Sequence, residues 1–379
     1  MTPHEHIYLD HNATTPLLPE VVEAMLPYLT EHFGNPSSGH VFGQRAARAV
    51  EAAREQVAEL LGSDPEEIVF TSGGTEANNL AIRGVMEEVG YRGGVLTSVI
   101  EHPATREPCT WLEERGTRVI RQGVDGEGRV SLTGLGEVRD DDVRLVTVMH
   151  SNNETGVLQP IEELARWGHE VGALVHTDAA QSVGKVPVNV RALGVDLLSV
   201  AGHKLYAPKG VGALYVRRGA GLAPQMLGAS HEGGMRAGTE NVASIVGLGA
   251  ACAVALRDLE DAGARMQRLR DSLWERLAED VAGLKLTGEL APRLPNTLHV
   301  RFPGVSGDAL LAAAPEVAAS TGSACHVGHT QASAVVRAMG VEEADALGSV
   351  RLSLGRGSSA TDVERAAVAL GRAWRRLMG

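Results

Sequence analysis

Cysteine is scarce: three in 379 residues, at 109, 252 and 325, with no Cys-x-x-Cys pair and an odd one over. That excludes a disulfide framework and predicts reduced thiols in the cytoplasm. Phe, Tyr and Trp make up only 3% of the chain, so the core must be aliphatic. Basic residues are outnumbered, 35 Lys+Arg against 47 Asp+Glu, for a net charge of −12. This argues against general nucleic-acid binding and against docking on an anionic membrane. No apolar run approaches the ~20 residues that span a bilayer. The start, Met1-Thr-Pro-His-Glu-His6, lacks the basic and apolar regions of a signal peptide. There is no internal repeat and no low-complexity segment.

What is present is ordinary in bulk and informative in order. Hydrophobic residues at 44% and charged ones at 22% fit a soluble globular protein. The length exceeds that of a single core, so a large domain with a smaller one is expected. Apolar runs at 68–70, 95–100, 145–149, 173–176, 196–200 and 211–216 read as buried strands. Between them lie helical patterns, including 76–82, 106–115 and 161–170. Upstream, 20–30 and 44–61 read as helices, the second stopped by Gly62. This alternation implies an α/β fold, a largely parallel sheet with helices on both faces. Residues 132–139 read as a short helix, and 242–282 as a long one broken near Gly263. Strands at 298–302 and 350–354 and a helix at 362–377 follow.

In such sheets ligands sit at the carboxyl ends of the strands. Thr75, His102, Asn153, Asp178, Gln181, His203 and Lys204 all follow strand ends. Thr71-Ser-Gly-Gly-Thr75 joins a strand to a helix start, where free N–H groups can hold an anion. An ordinary βα turn has the same pattern, and the run is neither Walker A nor Gly-x-Gly-x-x-Gly. Phe33-Gly-Asn-Pro-Ser-Ser-Gly39 reads equally as a bland loop or as the lining of a site. Lys204 alone would pass for a solvated loop lysine. Desolvated at a buried strand end, its amine would be free to attack a carbonyl.

One cofactor unites these groups. Pyridoxal phosphate needs a lysine for covalent attachment, an anion cradle for its phosphate, and a carboxylate for its ring nitrogen. Lys204 supplies the first, Gly74 and Thr75 with His203 the second, and Asp178 the third. His102 can stack on the ring, and Asn153 and Gln181 can hydrogen-bond ring oxygen and substrate. Cys325 lies between Gly322 and Gly328, a setting for an accessible thiolate that attacks sulfur or selenium. Cys325-His-x-x-His329 would also invite a zinc reading, but its spacing matches no structural zinc pattern.

Ten stretches then carry a resemblance: Tyr8-Leu-Asp-His-Asn-Ala-Thr-Thr-Pro16, Phe33-Gly-Asn-Pro36, Phe70-Thr-Ser-Gly-Gly-Thr-Glu-Ala-Asn-Asn79, Glu101-His102, Asn152-Asn-Glu-Thr-Gly156, Asp178-Ala-Ala-Gln-Ser-Val-Gly-Lys185, Gly202-His-Lys204, Arg236-Ala-Gly-Thr-Glu-Asn241, Gly322-Ser-Ala-Cys325 and Arg351-Leu-Ser-Leu-Gly355. In order, over nearly the whole chain, they resemble the cysteine desulfurases (NifS/IscS-like, class V aminotransferases) and the related selenocysteine lyases. The resemblance implies the aspartate-aminotransferase-like fold type I of pyridoxal phosphate enzymes. A large domain, 15–255, would carry a mainly parallel seven-stranded sheet. Residues 1–14 and 256–379 would form a smaller α+β domain with the cysteine loop. It implies a homodimer with its site at the subunit interface. Lys204 would hold the cofactor and move the Cα proton of L-cysteine. Cys325 would take the sulfur as a persulfide and release alanine. His102 would stack and assist, Arg351 with Asn153 would bind the substrate carboxylate beside Asn35, and Thr239 would reach the phosphate in the partner subunit. An iron–sulfur scaffold or tRNA-thiolation protein would accept the sulfur.

Two departures are visible. Ala201 stands where the family often has Ser or Thr. The run His326-Val-Gly-His329 after the cysteine is similar to selenocysteine lyases, as are His176-Thr-Asp-Ala-Ala-Gln181 and Arg293-Leu-Pro-Asn-Thr297. A selenocysteine lyase acting on L-selenocysteine is therefore an alternative, and a non-catalytic assembly component a further one.

Overall fold

The apolar runs become strands because both their faces can be covered. In the computed structural model, which describes residues 6–138, 143–321 and 332–379, the chain opens with β1 (Ile7–Tyr8), α1 (Pro19–Thr30) and α2 (Val41–Leu61). Then come β2 (Ile68–Thr71), α3 (Gly74–Glu88), β3 (Gly94–Ser98), α4 (Pro103–Glu113), β4 (Val119–Gln122), β5 (Val143–Thr147), α5 (Ile161–Glu170), β6 (Leu174–Asp178), α6 (Val190–Leu193), β7 (Leu197–Ala201) and β8 (Gly212–Val216). Seven of these strands form one sheet in the order β2-β8-β7-β6-β5-β3-β4. Only β8 runs against its neighbours. Consecutive residues alternate between two cores. Val69, Val95, Leu145, Leu197 and Leu214 pack under α3. Phe70, Leu96, Val146, Leu198 and Tyr215 pack on the other face, against α2 and α5. Continuous apolar strands are what such a doubly covered sheet requires.

Gly62 ends α2 at φ 68°, a left-handed conformation that favours glycine. A Cβ there would also lie 2.1 Å from the Asn189 amide nitrogen.

The rest of the chain builds a second core. It comprises α7 (Val242–Asp280), β9 (Lys285–Leu286), β10 (Thr297–Arg301), α8 (Gly307–Ala313), β11 (Val317–Ala318), α9 (Ala334–Ala338), α10 (Glu343–Leu347), β12 (Ser349–Ser353) and α11 (Ala360–Met378). The strands β12, β10 and β9 form an antiparallel sheet. Its core joins Leu298, Val300, Val350 and Leu352 to Leu273, Leu277, Val363 and Leu370, and to Ile7 and Leu9 from the other end of the chain. The N-terminal β1 pairs in parallel with β11.

The expected break at Gly263 does not occur: α7 is one helix of 39 residues. A glycine inside a helix costs only about 1 kcal/mol relative to alanine. Here both ends are anchored, Leu248, Ala251 and Cys252 in the first core and Leu273 and Leu277 in the second. α7 contains a stretch long and apolar enough to cross a membrane, and half of that stretch is buried inside the protein. The helix expected at 132–139 is a single tight turn, Leu135–Glu137. The strand expected at 350–354 does lie at a sheet edge, yet all five residues of β12 are buried.

Candidate active site

The carboxyl ends of β2, β3, β5, β6 and β7 lie along one edge of the sheet and deliver most of the expected side chains. Lys204 closes a tight turn, Gly202–Lys204, directly after β7. Burial pulls its ammonium below the usual lysine range. Asp178 opposes this and Arg351 adds to it. Among the described residues its Nζ makes no hydrogen bond, so the amine is held for something else.

Asp178 ends β6 opposite Ser199 of β7. Asn78 Nδ2 donates to its Oδ2 at 2.7 Å and the Ala180 N–H to its Oδ1 at 3.0 Å. Asn78 is fully buried on α3 and also reaches Thr105 Oγ1 at 3.3 Å. The carboxylate is thereby fixed by donors.

The N-terminus of α3 follows β2 with Gly73 as its cap residue at φ 149°, and no side chain caps it. Unpaired N–H groups and the helix dipole make this end a seat for an anion. An added Cβ on Gly74 would lie 3.2 Å from Ala201 Cβ. The small residue at 201 therefore packs directly under the start of α3. His203 shares its Nδ1 with Thr14 Oγ1 at 3.2 Å, and burial lowers its pKa to about 4, so it is neutral near pH 7.

His102 caps α4: its Nδ1 accepts the Ala104 N–H at 3.1 Å. Burial first, then the Lys204 charge, lowers its pKa. The neutral ring must then carry its proton on Nε2.

Arg351 comes from β12 in the second core. Its Nη2 meets Asp10 Oδ1 at 2.7 Å and its Nη1 donates to the Asn153 carbonyl at 2.9 Å. The Asn12 amide donates to the same carbonyl at 3.4 Å and to Thr297 Oγ1 at 2.9 Å. Gln181 Nε2 donates to the Asn12 carbonyl at 2.8 Å, while its Oε1 accepts from Lys185 at 3.0 Å.

Two expected residues stand apart. Asn35 is exposed, and its Oδ1 accepts the Ser37 N–H within its own turn. Thr239 is exposed and lines a cavity of about 230 Å³ with Thr71, Ser72, Arg236 and Glu232. Thr75 is at the start of α3 but exposed, and its carbonyl accepts from Asn79. Cys325, with His326 and His329, lies outside the described residues. The other thiols, Cys109 and Cys252, are buried, and burial pushes both up to about 12.

Spacing did not single out Asp10, Asn12, Asn78, Lys185 or Tyr206. The first four sit inside stretches that carried the resemblance, which was the available signal. Tyr206 adopts φ 64°, two residues past Lys204, held by its N–H to Thr15 Oγ1 at 2.9 Å and by its hydroxyl, which accepts the Arg356 N–H at 2.7 Å. A non-glycine residue in that region stores strain beside the reactive lysine.

This arrangement of sheet edge, desolvated lysine and braced aspartate belongs to the class V aminotransferases, whose family description matches residues 7–366; the chain is a member of that family. The NifS cysteine desulfurase of Azotobacter vinelandii is 45% identical over 95% of this chain and 90% of its own length. A solved structure described as a NifS-like protein superposes with a TM-score of 0.90 at 36% identity, covering 98% of this chain and 99% of the other. Another, described as SspA in complex with cysteine, gives 0.81 at 36% identity over 92% and 98%. Within the class, the chain therefore belongs with the NifS/IscS-like cysteine desulfurases. These relatives do not favour the selenocysteine lyase or non-catalytic readings.

Proposed function

We propose that this chain is a pyridoxal phosphate-dependent cysteine desulfurase that converts L-cysteine to L-alanine and transfers the sulfur to Cys325. The observation that carries the reading is the convergence, at one sheet edge, of the unpaired Lys204 amine, the donor-braced Asp178 carboxylate and the uncapped start of α3. Those residues fit the cofactor: Lys204 for attachment, Asp178 for the ring nitrogen, and Gly74, Thr75 and His203 for the phosphate. Bound there, the cofactor supplies an electron sink for the Cα–H bond. Lys204 then moves the proton at Cα. His102, neutral with its proton on Nε2, would stack on the ring and assist the proton transfer. Arg351 and Asn153 orient the substrate carboxylate. The Cys325 thiolate attacks the substrate sulfur, and a sulfur–sulfur bond forms as the carbon–sulfur bond breaks. Alanine leaves, and Cys325 keeps the sulfur as a persulfide. Cys325 fits this part because the other two thiols are buried and held protonated.

A homodimer is part of this reading. Val22, Leu26, Leu29, Phe33, Val41 and Phe42 are exposed on α1, the loop after it and the start of α2, an apolar surface that suits a second copy. Thr239 would serve the partner's phosphate site. We also read 15–255 as the large domain, and 1–14 with 256–379 as the small one, in keeping with the separate cores. An iron–sulfur scaffold protein is the proposed acceptor.

The test is a Cys325→Ser variant supplied with L-cysteine and a thiol reductant. It should keep the visible cofactor band and lose sulfide release. Full sulfide release from that variant would refute Cys325 as the sulfur carrier.

A further inference from the structure

Lys185 is a second enclosed lysine, 6% exposed, four residues beyond Gln181. Its Nζ donates to Gln181 Oε1 at 3.0 Å and to Asn12 Oδ1 at 3.4 Å. Both acceptors are neutral amides. Among the described residues no carboxylate comes within ion-pair distance. The charged and titratable groups that face it are Lys204, Arg351, His11 and His203, all bases. A buried ammonium without a counter-ion is costly, and an apolar side chain would fill the space at lower cost. Packing alone does not account for a lysine here.

The hydrogen-bond inventory does. An amide has one accepting and one donating end, whereas an ammonium only donates. Lys185 therefore takes the accepting end of Gln181 and shares that of Asn12 with Asn296, whose Nδ2 donates to the same Oδ1 at 3.1 Å. The Gln181 Nε2 is left for the Asn12 carbonyl. The Asn12 Nδ2 is left for Thr297 and for the Asn153 carbonyl that also receives Arg351. The ammonium thus fixes the direction of the Gln181 amide, and with Asn296 that of the Asn12 amide, in a chain of donors running from the Gln181 end of the site to the Arg351 end.

We propose that Lys185 is a positioning residue of this active site, which locks the Gln181 amide, and together with Asn296 the Asn12 amide, with their donor ends turned away from it and sets a positive charge beside Lys204. The inference rests on the cofactor reading above and adds a residue to it. Its burial also lowers its own pKa, to about 7. The charge is therefore partial near neutrality and grows as the pH falls below it.

The test titrates the visible absorbance of the purified, cofactor-loaded enzyme against pH, without substrate, in wild type, Lys185→Met, Lys185→Gln and Lys185→Arg. Removing a positive charge makes a neighbouring nitrogen easier to protonate. The midpoint of the band should then rise by about 0.5–1 pH unit in the Met and Gln variants. The Arg variant should stay near wild type. Turnover of cysteine should fall about fivefold or more in the Met variant and recover in the Arg variant. Gln keeps a hydrogen-bonding side chain of similar length, so it decides alone if the Met variant does not fold. An unchanged midpoint in the neutral variants, with the band present, overturns the proposal, as does an Arg variant that behaves like Gln. A wild-type enzyme with no visible band would instead overturn the cofactor reading itself.

Discussion

Arg351 Nη2 lies 2.7 Å from Asp10 Oδ1, an ion pair that joins residues 341 positions apart. Its other terminal nitrogen is fixed on the Asn153 carbonyl. The guanidinium is thus held flat from two sides before any substrate arrives, with its Nε–H unpaired among the described residues. A lysine at this position would replace the planar two-nitrogen fork with a single ammonium nitrogen. Arg351→Lys should raise the KM for cysteine about tenfold or more, with a smaller change in kcat, because the planar fork is lost. Steady-state kinetics on the loaded enzyme check this. An unchanged KM would remove Arg351 from substrate binding.

Among the described residues, Lys204 is the lysine at the sheet edge whose amine makes no hydrogen bond. Lys204→Ala should abolish the visible cofactor band and lower desulfuration by about a thousandfold or more. Absorbance of the purified variant, before and after adding pyridoxal phosphate, reads the first effect.

Asn78 carries no chemistry of its own, yet it is fully buried and donates to Asp178. Asn78→Ala leaves that carboxylate oxygen without its side-chain donor. The variant should lose about 1–3 kcal/mol of stability in urea unfolding and release the cofactor more readily on dialysis. Wild-type stability together with wild-type cofactor retention would contradict this account of the brace.

The buried titratable groups set an acid limit. Burial lowers His11, His150 and His176 to about 4 and His299 to about 3, from 6.5. The unfolded chain takes up these protons as the pH falls through about 6.5, and the folded chain does not. Stability is therefore lost on acidification. Glu101 and Glu154 act in the opposite sense. Burial raises them to about 8 and about 7, so their contribution is present at low pH and lost as the pH rises from about 4.5 through those values. With His203, also lowered to about 4, five imidazoles against two carboxyls leave a net of three protons. Unfolding free energy should fall by roughly 4 kcal/mol per pH unit between about pH 6 and 5. Urea midpoints at a series of pH values measure it, and a flat profile would contradict it.

Much of the sheet edge was legible in the sequence because an apolar run that stops at a small polar residue marks a strand end. Lys204, Asp178, His102 and Asn153 were found that way. Asp10 with Arg351, and Asn12 with Gln181, were not, since those pairs form only when β1 and the turn after it fold onto the far end of the chain. No spacing rule spans such a distance. The same limit explains α7. Its local signal at Gly263 says break, and two separate cores holding its ends override it. At 132–139 the helical pattern had no such support, and one turn is all that forms.

The pairing of β1 with β11 orders events during synthesis. Residues 7 and 8 leave the ribosome about three hundred residues before their partners, 317 and 318. The large sheet has all its strands once residue 216 has emerged, so it can assemble while the chain is still growing. Ile7 and Leu9 meanwhile have no core to enter. Asp10 and Asn12, just behind them, cannot take up their posts until β10 and β12 close over them. The nascent protein therefore has its sheet scaffold before the Asp10–Arg351 ion pair can form.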